Sequence, residues 1–495
     1  MVMPSSGPLN MGGTSSPVSV AQELGLSLTA TITMNDAAVR TLAGVGGTGT
    51  TWSMSSLYGK SNSAYFLALY GPQSSTNLYF GVGSGVDSSG NIYALVNGSV
   101  SGNTPYAVTG MAKLDASGGF LWQNTFTTTD LPNREGYAAG VFGADGNVHG
   151  ILVTGNNNRT VVTAVSSAGS LLSSRLLTCV NPGSINTVQD LCVDSSGNRY
   201  LTAYVFNSNT SVFSGVFLKM DSAGTIQFQL AAVASSGNRI THLSIDGSNS
   251  LYTATPFFDG SLYRLYVSKF NSSGAAQYTR ILSPPASNQF YAYSSSTAVD
   301  SSGNIYVCST IQNINTGVGA PVLVKLDSSG SVLWSRSLGG GLSGRSKIAL
   351  GPDGNVYVAT RPENAPRFRV YKYNASGTVQ WIRSLVGASA SNYPGVQYDF
   401  GLSVGADYFS VTCVAAPSSS YSNALIARLP LDGSKTGTYA VGAVNVTYAS
   451  ATGDAAVTIT STSGSSLFSS ATLLSSSVAN GSIATTTTTT NRTIV

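Results

Sequence analysis

Ionisable side chains are what this chain lacks. Charged residues make up only 9% of its 495 residues, against about 25% in ordinary globular proteins. Twenty are acidic and two are histidine. Zinc centres and Ser–His–Asp triads both draw on histidine, so neither assembles readily from His149 and His242, which read as framework residues. The net charge of +4 contains no Lys/Arg run and no basic helix, which argues against a nucleic-acid partner. No stretch approaches the roughly 18 apolar residues of a membrane span. The opening Met1-Val2-Met3-Pro4-Ser5-Ser6-Gly7 has neither the basic nor the apolar region of a signal peptide. Cys179, Cys192, Cys308 and Cys413 show no CxxC or CxxxC spacing, and Cys308 and Cys413 read as small core residues.

Glycine (55 residues), serine and threonine take the place of charge, and they come in a pattern. Val86-Asp87-Ser88-Ser89-Gly90-Asn91-Ile92-Tyr93 recurs at Val193–Tyr200 and Val299–Tyr306. Shorter copies carry Asp145, Asp246 and Asp353, and a degenerate one surrounds Gly405. The spacing is close to 50 residues, a period that denotes repeated structural units. A second series alternates with the first, as at Lys113-Leu114-Asp115-Ala116-Ser117-Gly118 and Lys325-Leu326-Asp327-Ser328-Ser329-Gly330. Each phrase is tight-turn chemistry. Asp or Asn accepts the N–H two residues on, and Gly takes the left-handed position. β-Branched and aromatic runs flank the turns. Two hairpins per period make a four-stranded unit, and seven units make an all-β fold, a seven-bladed β-propeller.

The alternation of Val-Asp-Ser-Ser-Gly-Asn-Ile-Tyr with Val-Lys-Leu-Asp-Ser-Ser-Gly-Ser-Val-Leu-Trp resembles the bacterial and phage β-propeller repeat family over about residues 80–440. That family has no single activity, so function has to come from the site. Ahead of the repeats, Ile32-Thr33-Met34-Asn35-Asp36 and Trp52–Ser61 resemble a small N-terminal module of tail and other virion proteins of tailed bacteriophages. The segment Asn35–Gly44 predicts a short helix with an Asn or Asp cap and a Gly stop. Gly59-Lys60-Ser61 lacks the upstream glycine of a phosphate loop, and a strand follows it, not a helix. The chain divides into an anchoring module at 1–61, a propeller at 62–445 and a Ser/Thr-rich β segment at 446–495.

Ten of the twenty acids sit in the repeated turns, and the turns lack the closing glutamate of a calcium loop. A glycosidase needs two facing carboxylates, and nothing selects a pair such as Glu135 and Asp399. The expectation is a protein with no catalytic residues, no cofactor and no metal. An aromatic after the second turn (Trp122, Phe228, Tyr278, Trp334, Trp381), often with Arg two residues on, reads as inter-blade packing.

All the tight turns fall on one face of the disc, so the other gathers the long loops. Those loops carry the expected binding residues Tyr106, Tyr137, Phe257, Phe258, Tyr291, Tyr293, Tyr393 and Tyr421. The resemblance implies a virion protein, assembled in the host cytoplasm and present in several copies. Residues 1–61, with 446–495 as a further contact, would hold it to other virion proteins, while the loop face meets a host-surface glycan or protein. Two alternatives stand beside this: a structural spacer or decoration protein, and a carbohydrate-degrading virion enzyme.

Overall fold

The computed structural model describes residues 65–494, apart from segments 71–76, 101–107, 129–133, 155–158, 181–182, 209–211, 233–241, 340–342, 363–366, 388–399, 416–422, 442–443, 466–467, 472–473, 479–480 and 486–488; before residue 65 it describes Val39 and Ala43. These two are helical and buried, four residues apart inside the expected helix.

The local chemistry of the turns builds the blades. Asp87 Oδ1 accepts the N–H groups of Ser89 and Asn91 at 3.0 and 2.9 Å, and Gly90 takes φ +81°. The same geometry closes the turns at Asp194 and Asp300. In blades 2 and 6 a glycine (Gly143, Gly351) opens the turn, and the carboxylate moves two residues on, to Asp145 and Asp353.

Seven antiparallel sheets result, in line with the expected seven four-stranded blades. Their inner strands are Asn77–Val86, Arg134–Phe142, Gly183–Val193, His242–Ile245, Asn288–Val299, Ser343–Leu350 and Gly401–Val404. Each touches the next around a closed ring, and the last touches the first. Blade 7 takes its fourth strand, Tyr65–Tyr70, from the N-terminal side of the repeats, where it pairs with Asn423–Pro430. A fifth strand from residues 444–494 lies on the outer edge of every blade.

The first-turn carboxylates of blades 1 to 6 have a second task, legible in the sequence only as an aromatic six residues later, or four where a glycine opens the turn. Their Oδ2 accepts the hydroxyl of a buried tyrosine on the second strand: Tyr93 to Asp87 at 3.0 Å, Tyr200 to Asp194 at 3.1 Å, Tyr252 to Asp246 at 2.9 Å. In blade 2 His149 replaces the tyrosine and meets both oxygens of Asp145. A lysine from the third strand lies over the ring, as Lys113 over Tyr93 and Lys325 over Tyr306, both at 5.0 Å. The lysine then donates to the next blade's second turn: Lys113 to Ser167 O, Lys325 to Ala375 O, Lys372 to Leu431 O. Trp122, Trp334 and Trp381 donate to those same carbonyls, and Arg383 covers the Trp381 ring at 5.7 Å. The aromatic–Arg series is therefore inter-blade packing. All four cysteines are free, and Cys308 and Cys413 are buried in second strands.

This turn network sets the acid and alkaline limits. Burial pushes the Asp145 carboxyl up, but the His149 and Asn147 hydrogen bonds outweigh it and hold it down at about 2. Asp87, Asp246 and Asp353 are also lowered, because turn hydrogen bonds outweigh burial. The partner tyrosines move the other way: burial, then the adjacent carboxylate, raises Tyr93, Tyr252 and Tyr357 above their usual 10.0. A lowered carboxylate stabilises the fold above its unfolded value and loses that contribution as pH falls through the folded value. Tyrosines with raised values contribute below about 10 and lose it as pH rises. Urea midpoints should therefore fall as pH drops below about 4 and as it rises above about 10, with Asp145 contributing about 2 kcal/mol to the acid limb. A midpoint that holds level from about pH 4 down to about 2 would contradict the assignment.

Candidate active site in the central channel

Four residues before each first turn, the seven inner strands present one position at the same level, about 13 Å in from the turn face at ~3.3 Å per residue. Around the ring this position is Gly83, Ala139, Asp190, His242, Ser296, Lys347 and Gly401. In several blades it follows a β-bulge: the ladder shifts at Gly81/Gly83, Tyr137/Ala139, Val188/Asp190 and Phe290/Ser295. A bulge bends the strand and re-aims the next side chain. The position points at the next blade's inner strand. Ser296 Oγ accepts the N–H of Ile348 at 3.1 Å, and Asp190 Oδ2 accepts that of Leu243 at 3.0 Å. On the opposite side the strands pinch together: a Cβ on Gly401 would lie 2.2 Å from Ser84 N.

Ser296 shows that a hydroxyl is enough to satisfy that N–H. Blades 3, 4 and 6 instead place Asp190, His242 and Lys347 there, in a chain that is short of ionisable groups. Half-burying three such groups costs desolvation free energy that a serine avoids. The group at this level therefore does more than cap a strand.

Asp190 Oδ2 lies 2.9 Å from His242 Nδ1, and each side chain is 15% exposed. Burial pushes the Asp190 carboxyl up, but the charge and hydrogen bond of His242, the Lys347 ammonium and the Leu243 N–H outweigh it, leaving the acid below its usual value. An ionised carboxylate only accepts, so Nδ1 must carry the proton and donate it. Nε2 is then the basic nitrogen, and it has no hydrogen-bond partner among the described residues. Cys192, two residues along, stays a thiol, since burial and the neighbouring Asp190 and Asp194 push it well up. An aspartate orienting a histidine, with an ammonium acting on the same carboxylate, is an arrangement for moving a proton to or from a bound molecule. Among the described residues no group of three His, Cys, Asp or Glu side chains could hold a metal ion.

The residues expected to bind fall in several places. Phe257 and Phe258 end the second strand of blade 4, Leu251–Phe258, on the long-loop face; Phe257 meets Tyr266 edge-on and Phe258, 38% exposed, leans on Tyr263. Tyr137, Tyr291 and Tyr293 lie on inner strands, not on the loops where the repeat spacing had put them. The reason is the bulged register, which extends these strands into the expected loops. Tyr106, Tyr393 and Tyr421 lie outside the described residues, as does Asp399, and Glu135 is on an inner strand with its side chain outside them. Asp190 and His242 were legible only as an acid outside the turns and a histidine opening an inner strand. Their shared offset from Asp194 and Asp246 was the signal that could have joined them.

No protein-family model matches the chain, and no curated protein matches it. Solved structures do. A polysaccharide lyase aligns over 71% of this chain and 90% of its own at 8% identity, with a TM-score of 0.39. The endosialidase of phage phi92 covers 75% and 70% at 12% identity, TM-score 0.37, and a Hadza microbial sialidase covers 74% and 93% at 9% identity, TM-score 0.34. At these identities the likeness is one of fold. All three are named as enzymes, so the expectation of a non-enzymatic chain does not stand on these likenesses, and they in turn assign this chain no activity. The scarcity of carboxylates weighed against a two-carboxylate mechanism only. It said nothing against a proton-transfer pair of one carboxylate and one histidine.

Proposed function

We propose that this chain is a carbohydrate-degrading propeller protein whose reaction centre is the Asp190–His242 pair between the inner strands of blades 3 and 4. His242, held by Asp190, exchanges a proton with the substrate through Nε2. Lys347 supplies positive charge at the same level, which suits a polysaccharide bearing carboxylates. Nε2 takes the proton from the carbon beside the sugar carboxylate while Lys347 offsets the charge that develops; the C–O bond to the leaving sugar breaks as a C=C bond forms, and the imidazolium returns the proton to the leaving oxygen. A second carboxylate is not required. The observation that carries the proposal is the clustering of three ionisable groups at one level of the ring of inner strands, where a serine serves blade 5. Attachment to a virion through residues 1–61 belongs to the same proposal and rests on the sequence resemblance; several copies on one particle would concentrate the activity at a host surface.

The test is incubation of the purified protein with neutral, uronate-containing and sialylated polysaccharides, following new reducing ends and the ultraviolet absorbance of unsaturated products. Cleavage of a uronate polymer with gain of absorbance is the expected result. Binding without cleavage of any polymer overturns the catalytic assignment, and absence of both overturns the glycan assignment too.

A further inference from the structure

The C-terminal segment makes a circuit of the whole disc. After a hairpin of Gly437–Val441 and Val444–Ser450, its second strand pairs with the outer strand of blade 6. Ala455–Ala456 then pairs with blade 5, Thr460–Gly464 with blade 4, Phe468–Ser470 with blade 3, Leu474–Val478 with blade 2 and Gly481–Thr485 with blade 1. Thr489–Ile494 finishes on blade 7, against Tyr65–Tyr70. The blades are thus visited in the reverse of their chain order. The strand that closes the ring is held on both edges, by Asn423–Pro430 and by the end of the circuit.

Among the described residues, no strand of the circuit beyond its opening hairpin pairs with another; each pairs only with a blade. The segment from 437 to 495 has two charged residues, Asp454 and Arg492, and strands of two to seven residues. Such strands have no stability apart from a sheet. They can therefore form only once the blades exist. Side chains fasten the early part of the circuit. Asp454 Oδ2 pairs with Arg336 at 2.9 Å and its Oδ1 accepts the Tyr373 hydroxyl at 2.8 Å, tying the crossing to blades 5 and 6. Ser461 Oγ donates to Gly330 O at 2.9 Å, Arg280 donates to Ser463 Oγ at 2.5 Å, and Ser335 donates to Val457 O. Val446, Tyr448 and Ile459 enter the blade cores.

We propose that residues 437–495 are a strap that locks the closed ring: the last element to form, and one that must detach before blade 7 can open. Contacts made after the folding transition state slow unfolding and leave the folding rate little changed. The strap also covers seven outer edges that would otherwise be templates for strand pairing with other chains.

The test is a specific protease site inserted after Ser465 in the full chain, with unfolding in denaturant followed before and after the cut. The uncut insertion variant should unfold like the natural chain, and cutting should raise the unfolding rate by about tenfold or more. Asp454→Ala, which needs no insertion, should raise it several-fold without slowing refolding. An unchanged unfolding rate after a complete cut, whether the released piece stays bound or not, overturns the proposal. So does an Asp454→Ala variant that unfolds at the natural rate.

Discussion

His242→Ala is expected to lower turnover of the substrate by about 10²–10⁴-fold, the usual contribution of a positioned acid–base group. Asp190→Asn should cost a comparable amount for a different reason. The amide can still accept the Leu243 N–H through its oxygen, so the inter-blade tie survives. His242 Nδ1 shares that same oxygen, so its N–H keeps an acceptor too, and what the variant loses is the negative charge beside the imidazole when Nε2 takes up a proton. Lys347→Met should leave this pair in place and act mainly through the stabilisation of developing charge, with the effect in kcat exceeding that in KM. Steady-state kinetics beside a thermal melt separates catalysis from folding. Full activity in His242→Ala with an unchanged melt would remove the pair from the mechanism.

Arg428→Ala is expected to destabilise the protein by about 3–5 kcal/mol, the cost of breaking a buried charged contact by removing one partner. Arg428 stands where the other blades carry lysine, as at Lys113 and Lys325, but it is only 2% exposed. Its guanidinium lies 3.7 Å from the centre of the Tyr408 ring, donates to Gly90 O and Ala116 O at 3.2 and 2.9 Å, and lies 3.6 Å from Asp407. It thereby joins blade 7 to both turns of blade 1, at the seam where the ends of the ring meet. Both carbonyls accept from one nitrogen, Nη1, so a lysine ammonium has donors enough for them but lacks the planar group that lies on the Tyr408 ring. Arg428→Lys should accordingly recover part of the loss. Equilibrium urea unfolding measures both variants, and an alanine variant within 1 kcal/mol of the natural chain would show that the seam is held elsewhere.

The sequence was most legible where physics is local. Asp-Ser-Ser-Gly specifies its turn through contacts two to four residues apart, so turn, hairpin and blade number could be read directly. The inter-blade role of Trp122, Trp334 and Trp381 was legible because the repeat places each beside its counterpart. Asp190 and His242 were harder. They lie 52 residues apart, on strands that meet only because the ring closes, and bulges such as that before Asp190 set where the position points. Counting acids separated Asp190 from the turn carboxylates but could not say what it touches. Tyr291 and Tyr293 were placed on a loop because a bulged strand loses the alternation by which strands are recognised.

By itself the sequence determined the architecture: a fifty-residue period, two tight turns in each unit, and seven units that must close because an open sheet of that length leaves exposed edges. Only the tertiary structure decided which residues meet. It placed Asp190, His242 and Lys347 at one level of the inner strands, fitted Arg428 into the seam, and laid the C-terminal segment around the rim in reverse order. The reason is the same in each case. Turns are stabilised by neighbours in the chain, whereas the site, the seam and the strap are stabilised by residues that ring closure alone brings together.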